Sequence, residues 1–336
     1  MVEYHVPEFR VPFFSAMYNV NTGQFFDPIQ RHSHRDIIKK LEENKLVVFD
    51  LTRDQYHAEL RFQTVKDIKQ SLDNLKLDNI VYLTSEIEYI DKTEDRILFC
   101  PLWLFSKHIN YKSFPYTVKK QRNYNLSCLN RFPFPHKVYT FFQLDQNNLI
   151  NDKSLISSNG LKDPYNLNRQ MTTLDLWDIP YKIKNEIAKT DLYRECMPGD
   201  NKWDNDHSIS HPAFSDTYLN IITESTHCIT FYTEKTCKPL AAGQLFLSAN
   251  GAKSVRALQH LGFECFYDLF YDHNYENHSD FMQRIDNMIK LLKEIFPSIE
   301  ELYLNNFDRL QYNRNYFISE NFKNKLLQPL IKNELI

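Results

Sequence analysis

The sequence predicts an α/β protein made of two halves, each a parallel sheet flanked by helices, with a ligand cleft between them. Three observations carry this. Short β-branched and apolar runs alternate with helix-length amphipathic segments along most of the 336 residues, as βαβ units do. The alternation stops at a polar, basic stretch, Asn110 to Arg122, and restarts beyond it. Polar and charged residues gather just after several strands, the edge at which open α/β sheets bind ligands.

In chain order, residues 1–34 read as irregular and aromatic, broken by Pro7, Pro12 and Pro28. Arg35 to Asn44 is a short amphipathic helix, and Lys45 to Thr52 (KLVVFDLT) is a buried-type strand carrying Asp50. Phe62 to Leu77 places Phe62, Val65, Ile68, Leu72 and Leu75 at helical spacing. Asn79 to Thr84 is the next strand, followed by Ser85, Glu86 and Glu88; Arg96 to Cys100 is another. Pro101 opens a helix to about His108. Beyond the basic linker come a strand over Tyr124–Asn130, a helix over Pro135–Asn147 and a strand over Lys153–Ser158. Residues 159–176 form a polar loop, Pro180 to Thr190 is helical, and 191–212 is irregular. Tyr218 to Thr223 is a strand ending at Glu224; Thr233 opens a helix that closes at Gly243; Gln244 to Ser248 is a strand. A helix over Ala252–Leu261, a short strand over Glu264–Tyr267 and an amphipathic helix over Ser279–Phe296 follow, and the last forty residues are helical. The domains expected are 1–122, 123–280, and 281–336 as helices packing on both.

A net charge of -3 leaves no global basic field of the kind a dedicated nucleic-acid binder carries. The six cysteines form no CxxC pair and read as reduced thiols of an intracellular protein. The first residues lack the basic region and continuous apolar core of a signal peptide. No apolar run is long enough to span a bilayer. The expectation is a cytoplasmic protein with no membrane span.

Two constellations lie at strand ends of the second half. In the first, Glu224 ends a strand, and Tyr232, Thr233, Glu234 and Lys235 open the next helix. An ordinary N-cap with an acidic first turn accounts for Thr233 and Glu234. Lys235 opposes the helix dipole there, which suits an anionic partner such as a diphosphate. Pro239 implies that this helix is kinked or starts later. In the second constellation, a strand stops at Asn130, and Arg131, His136 and Lys137 gather before and within the first turn of a helix. A basic turn fixed by Pro133 and Pro135 reads equally well as structure alone. The string His32-Ser33-His34-Arg35-Asp36 has the look of metal ligands but no strand leads into it, and exposed polar residues before a helix explain it better. His207 and His211 are similarly weak, with Pro212 arguing against a helix that would align them. Asp50, Glu86 and Glu88, at strand ends of the first half, are candidate general bases or ordinary turn residues.

The string TEKTCKPLAAGQLFL, behind a strand ending in Glu224, resembles the donor-binding signature of fucosyltransferase-like glycosyltransferases. The upstream CLNRFPFPHK resembles the block that opens the donor domain in related glycosyltransferases of phages and large viruses. The resemblance implies a GT-B fold: two Rossmann-like domains facing each other across a cleft, the second binding a nucleotide-sugar and the first presenting the acceptor. It implies that Glu234 binds the ribose and Lys235 the diphosphate, with Phe231 beside the donor and Tyr232 next to it. Glu224 matches the acidic residue ending the preceding strand. Asn130-Arg131 falls near the family's phosphate-binding Arg, with His136 and Lys137 in the later position. No cofactor and no essential metal are expected, because cationic side chains and helix N–H groups carry the leaving-group charge. Inversion needs a base from the first domain; Glu86 is the first choice and Asp50 the second. The acceptor is a glycan or, in a phage, a hydroxymethylated DNA base, for which the basic stretch 112–122 speaks. The alternative is a non-catalytic nucleotide- or glycan-binding module of the same fold.

Overall fold

The computed structural model describes residues 7–10, 13–14, 17–19, 24–26, 33–43, 46–51, 65–77, 79–90, 96–112, 115–130, 134–158, 183, 185–187, 209–225, 230–251, 253–270, 275–278 and 280–336. β1 (Phe13–Phe14) precedes a small antiparallel pair, β2 (Met17–Asn19) with β3 (Gln24–Phe26). These three strands fall in the segment expected to be irregular. Aromatic residues favour extended backbone, and an edge strand this short needs only a neighbour to pair with.

That neighbour is β4 (Val47–Asp50), which continues into β5 (Ile80–Thr84) and β6 (Ile97–Phe99); the order β1-β4-β5-β6 is parallel throughout. Successive side chains of a strand point to opposite faces, and here both faces are buried. Val47, Phe49, Ile80, Tyr82 and Ile97 form one cluster with Ile37 and Leu41 of α1 (His34–Glu43) and Val65, Ile68 and Leu72 of α2 (Val65–Asn74). Val48, Val81, Leu83 and Leu98 belong instead to the large core shared with the second half. Leu102, Leu104, Phe105 and Tyr111 of α3 (Leu102–Lys112) join that core. α3 runs a turn past the stop expected near His108, because nothing in Ile109-Asn110-Tyr111 breaks a helix before Pro115.

The second sheet holds β7 (Tyr124–Asn130), β8 (Ser154–Ser158), β9 (Thr217–Ile222) and β10 (Leu245–Ser248), parallel in the order β10-β9-β7-β8. From β7 the chain first goes to one side, through α4 (Pro135–Gln146) to β8. It then crosses to the other side for β9, preceded by α5 (Pro212–Ser215). The winding direction therefore reverses between β7 and β9. The first sheet follows chain order and has no such reversal among the described strands.

α6 (Glu234–Ala242) links β9 to β10. It begins at Glu234 despite Pro239, which lies inside the helix and lacks an N–H to donate back to the first turn. The helix ends at Gly243 in left-handed conformation, φ 59°, with Gln244 N–H donating to Pro239 O at 3.0 Å. After α7 (Ser254–His260), the strand expected at Glu264–Tyr267 is absent: Phe266 has φ 56°, which ends extension, and Tyr267–Phe270 coils into α8. Four helices finish the chain: α9 (Phe281–Ile295), α10 (Ile299–Asn305), α11 (Phe307–Phe317) and α12 (Glu320–Lys332). α12 packs on α3 and β6, whereas α11 packs on α6, so the terminal helices touch elements of both sheets. Among the described residues no helix is long and apolar enough to cross a membrane.

Arg122, at the end of the basic stretch, is 6% exposed. Its guanidinium donates to Phe214 O at 2.7 Å, Thr217 O at 3.1 Å, Ala242 O at 2.8 Å, Gly243 O at 3.2 Å and the Tyr303 hydroxyl at 2.9 Å. One side chain thus ties the start of β9, the end of α6 and α10 together.

Candidate functional site

The reversal falls between the carboxyl ends of β7 and β9, the position at which α/β sheets take ligands. Asn130 ends β7, and its Oδ1 accepts a hydrogen bond from the Thr223 hydroxyl at 2.6 Å, just past β9. His136, in the first turn of α4, makes a 2.8 Å contact from Nε2 to the carbonyl of Glu224. Asn250, after β10, accepts from the Glu224 N–H at 2.8 Å. Three strand ends and one helix start thus converge on Thr223 and Glu224.

The Glu224 carboxylate is fully buried and anchors the start of α6. Oε1 accepts from the Thr233 N–H at 2.8 Å, the Thr236 N–H at 3.2 Å and the Thr236 hydroxyl at 2.6 Å. The Thr233 hydroxyl donates to Oε2. Burial pushes this carboxyl above its ordinary range, against Lys235 and the two hydroxyls. Thr233 is the N-cap, its Oγ1 accepting from the Lys235 N–H at 3.3 Å.

Lys235 Nζ lies 2.7 Å from Glu234 Oε1; their side chains are 24% and 18% exposed. Burial alone would raise the Glu234 carboxyl, but Lys235, then Lys238 and Lys107, outweigh it and hold it well below the usual carboxylate range. Phe231 and Tyr232 are both buried, and the Tyr232 hydroxyl donates to Ser254 O at 2.5 Å, fixing the loop that leads into α6. Lys137 is buried with its Nζ 5.1 Å from the centre of the Phe134 ring. α4 has Pro135 in its first turn and no side-chain cap on its first N–H groups.

The first sheet meets this region through the end of β5. The Ser85 hydroxyl donates to Thr230 O at 2.6 Å, joining β5 to the loop before α6. Glu86 follows, 9% exposed, with Oε1 accepting from the Val65 N–H at 2.8 Å. Burial raises its pKa to about 7, with Glu88 and Asp67 adding to the rise and the Val65 hydrogen bond opposing it. Asp50, buried at the end of the neighbouring β4, is close enough to Cys100 to help burial raise that thiol.

The structure therefore brings Asn130, His136, Glu224, Thr233, Glu234 and Lys235 to one edge, with Glu86 one strand end away across the contact at Thr230. Arg131, His32 and His207 lie outside the described residues, as does the side chain of His34. His211 caps α5, its Nδ1 accepting from the Ala213 N–H at 3.0 Å. Among the described residues no group of three or more His, Cys, Asp or Glu is placed to hold a metal ion. The basic stretch is largely engaged: Lys112 pairs with Glu320, Lys119 lies 3.8 Å from Asp216, and Arg122 is buried.

Sequence reasoning missed Thr223, Thr236, Asn250, Ser85 and Thr230, whose partners are remote in the chain. It also missed Lys107, whose only signal is a lysine just after the apolar run LWLF of α3. What fold and site define together is a mixed α/β protein with two parallel sheets and a cluster of polar residues at the point where one of them reverses. Set against protein-family models and against curated proteins, the chain matches none.

Proposed function

We propose that the chain is a glycosyltransferase that moves a sugar from a nucleotide-sugar donor to an acceptor hydroxyl with inversion, on a GT-B-like pair of Rossmann-like domains facing across a cleft. One observation supports this above the rest. The residues that resemble a donor signature meet at the strand-order reversal of the second sheet, and a carboxyl with a pKa of about 7 stands at the adjoining edge of the first. In this reading Lys235, Lys137 and His136 take up charge on the leaving diphosphate, and Glu234 takes the ribose hydroxyls. Glu224 and Asn130 position these groups, and Phe231 and Tyr232 hold the loop beside them. Glu86 removes the acceptor proton; a base titrating near neutrality is matched to that task. Asp50 is the second choice, since it ends the neighbouring strand.

The engaged state of Lys112, Lys119 and Arg122 removes much of the positive charge a DNA acceptor would use, so a glycan is the favoured acceptor. The test is a melting-temperature screen across nucleotide-sugars, followed by donor hydrolysis and transfer with the compound that binds. A donor at a hundred times its dissociation constant adds about 2.7 kcal/mol of stability. Lys235→Ala should lower turnover by roughly 100-fold or more. Absence of any shift with uridine, guanosine, cytidine and thymidine diphosphate sugars would remove the reading. The self-satisfied Glu224 and the Lys235–Glu234 pair favour, as the second reading, a module that binds the nucleotide without turnover; binding without hydrolysis or transfer would select it.

A further inference from the structure

Lys107 is a lysine in the wrong surroundings. It sits midway along α3 and has no exposed surface. Its ammonium has no hydrogen-bond partner among the described residues. A buried, unpaired charge costs several kcal/mol and persists only where something compensates it. The side chain leans back over Trp103, with Nζ 5.3 Å from the ring centre. Trp103 is four residues earlier, so the ammonium is directed toward the N-terminal end of α3. That end follows β6 directly, and it is therefore the carboxyl edge of the first sheet.

α3 packs against α6. Lys107 acts electrostatically on Glu234 in the first turn of α6 and on Cys237 one turn on, where it opposes the rise that burial gives the thiol. Its charge is thus felt at the start of α6, on the face turned toward the first half. Among the described residues, Glu234 faces three lysines there, Lys235, Lys238 and Lys107. The other nearby carboxyl, Glu224, is committed to four hydrogen bonds and pushed toward its neutral form by burial. One ionised carboxylate cannot offset three ammonium groups. A surplus of positive charge in a buried setting, where Coulomb interactions are only weakly screened, is a standing attraction for an anion.

We propose that Lys107 is a binding residue of an anion site at the start of α6, supplying from the first half part of the charge that a ligand's diphosphate compensates. The proposal rests on the donor-site reading in naming a diphosphate, but its core is narrower: phosphate affinity at α6 depends on a lysine of α3. Lys107 acts on Glu234 from α3, whereas Lys235 is its neighbour in the chain. When Lys235 turns from Glu234 to a phosphate, Lys107 and Lys238 remain to neutralise the carboxylate, so the lysine can be lent without leaving Glu234 bare.

The test uses the full chain with inorganic pyrophosphate as the probe, titrated by calorimetry, on wild type and Lys107→Met. Methionine keeps the length and apolar stem and removes the charge, so the ligand-free variant should melt at the same temperature as wild type or higher. Pyrophosphate affinity should fall by at least tenfold, and the salt dependence of binding should flatten. Lys107→Gln serves as the second variant if the methionine protein does not fold. Equal pyrophosphate affinity in wild type and variant would overturn the proposal while leaving glycosyl transfer by wild type to be judged on its own assay. Failure of wild type to bind pyrophosphate would overturn it as well. Binding that depends on Lys107, without sugar transfer from any donor, would uphold the anion site and remove the transferase reading instead.

Discussion

Glu86→Gln separates the titration of one carboxyl from everything else in the protein. A rise from the ordinary 4.5 to about 7 corresponds to about 3 kcal/mol between the two protonation states. Below pH 4.5 the carboxyl keeps its proton in both folded and unfolded chains, and glutamine, neutral and still able to accept from the Val65 N–H, should match it. As pH climbs from 4.5 the unfolded chain gives up the proton first, so wild type loses stability through about pH 7, where the folded carboxyl also ionises. Beyond that the loss is complete. Glu86→Gln should therefore equal wild type at pH 4 and exceed it by about 3 kcal/mol at pH 8. With a urea slope of about 3 kcal/mol per molar, that is a midpoint difference of about 1 M. Urea unfolding of both proteins at several pH values measures it, and titrations elsewhere cancel in the comparison. If the reading of Glu86 as a base is right, transfer should rise with pH through about 7 in wild type and be lost in the variant. A stability gap independent of pH would show that Glu86 titrates in its ordinary range, and the assignment as base would fall with it.

Arg122→Met should cost about 3 kcal/mol or more, because it leaves the carbonyls of Phe214 and Ala242 without their charged donor. Chemical denaturation checks this, and a loss below about 1 kcal/mol would mean that water replaces the guanidinium. Gly243→Ala should also destabilise. The left-handed backbone costs about 1–2 kcal/mol for an L-residue, and a Cβ would stand 2.7 Å from a Val118 methyl. A melting temperature unchanged by that substitution would argue against the close approach.

Much of the second sheet was legible because its strands carry local signals. Tyr124–Asn130 and the run before Glu224 are apolar and of strand length, and Gly243 marks a helix end that only a positive φ explains. The site was legible as a set of strand ends and helix starts, since those positions follow from the elements alone. The partners of each residue were not. Thr223 and Asn130 are joined across the order of strands in the sheet, which no local pattern encodes. Arg122 reads as the end of a basic linker because its neighbours in sequence include lysines, whereas its partners are carbonyls of two distant segments and the hydroxyl of Tyr303 in a third. The strand expected at Glu264–Tyr267 failed for the opposite reason: aromatic residues favour extension locally, but the backbone turns left-handed at Phe266 and packs that ring beside Phe246 and Phe270 instead.

Glu224 changes what this edge can do. As a carboxylate at a strand end it is the kind of group that takes ribose hydroxyls, yet its hydrogen bonds run to Thr233 and Thr236 at the start of α6. It fixes the start of α6 to β9, while His136 and Asn250 fix its backbone to α4 and to the end of β10. This half of the site is therefore built before any ligand arrives, and a preorganised arrangement spends no binding energy on assembly. Lys235 Nζ contacts Glu234 Oε1 and the Thr233 hydroxyl, and its side chain remains partly exposed. The groups that respond to a ligand must then be Lys235 and those brought by the first half, Glu86 beside the Ser85–Thr230 hydrogen bond and Lys107 beneath α6. Glu224→Gln tests this division. Glutamine has one acceptor oxygen where the carboxylate has two, and so cannot serve the Thr233 hydroxyl and the three donors on Oε1 together. Stability should fall by about 1–3 kcal/mol, and ligand affinity should fall with it because α6 loses its anchor. Full affinity in a destabilised Glu224→Gln protein would show that the α6 start holds its shape without the carboxylate, and that Glu224 serves the fold alone.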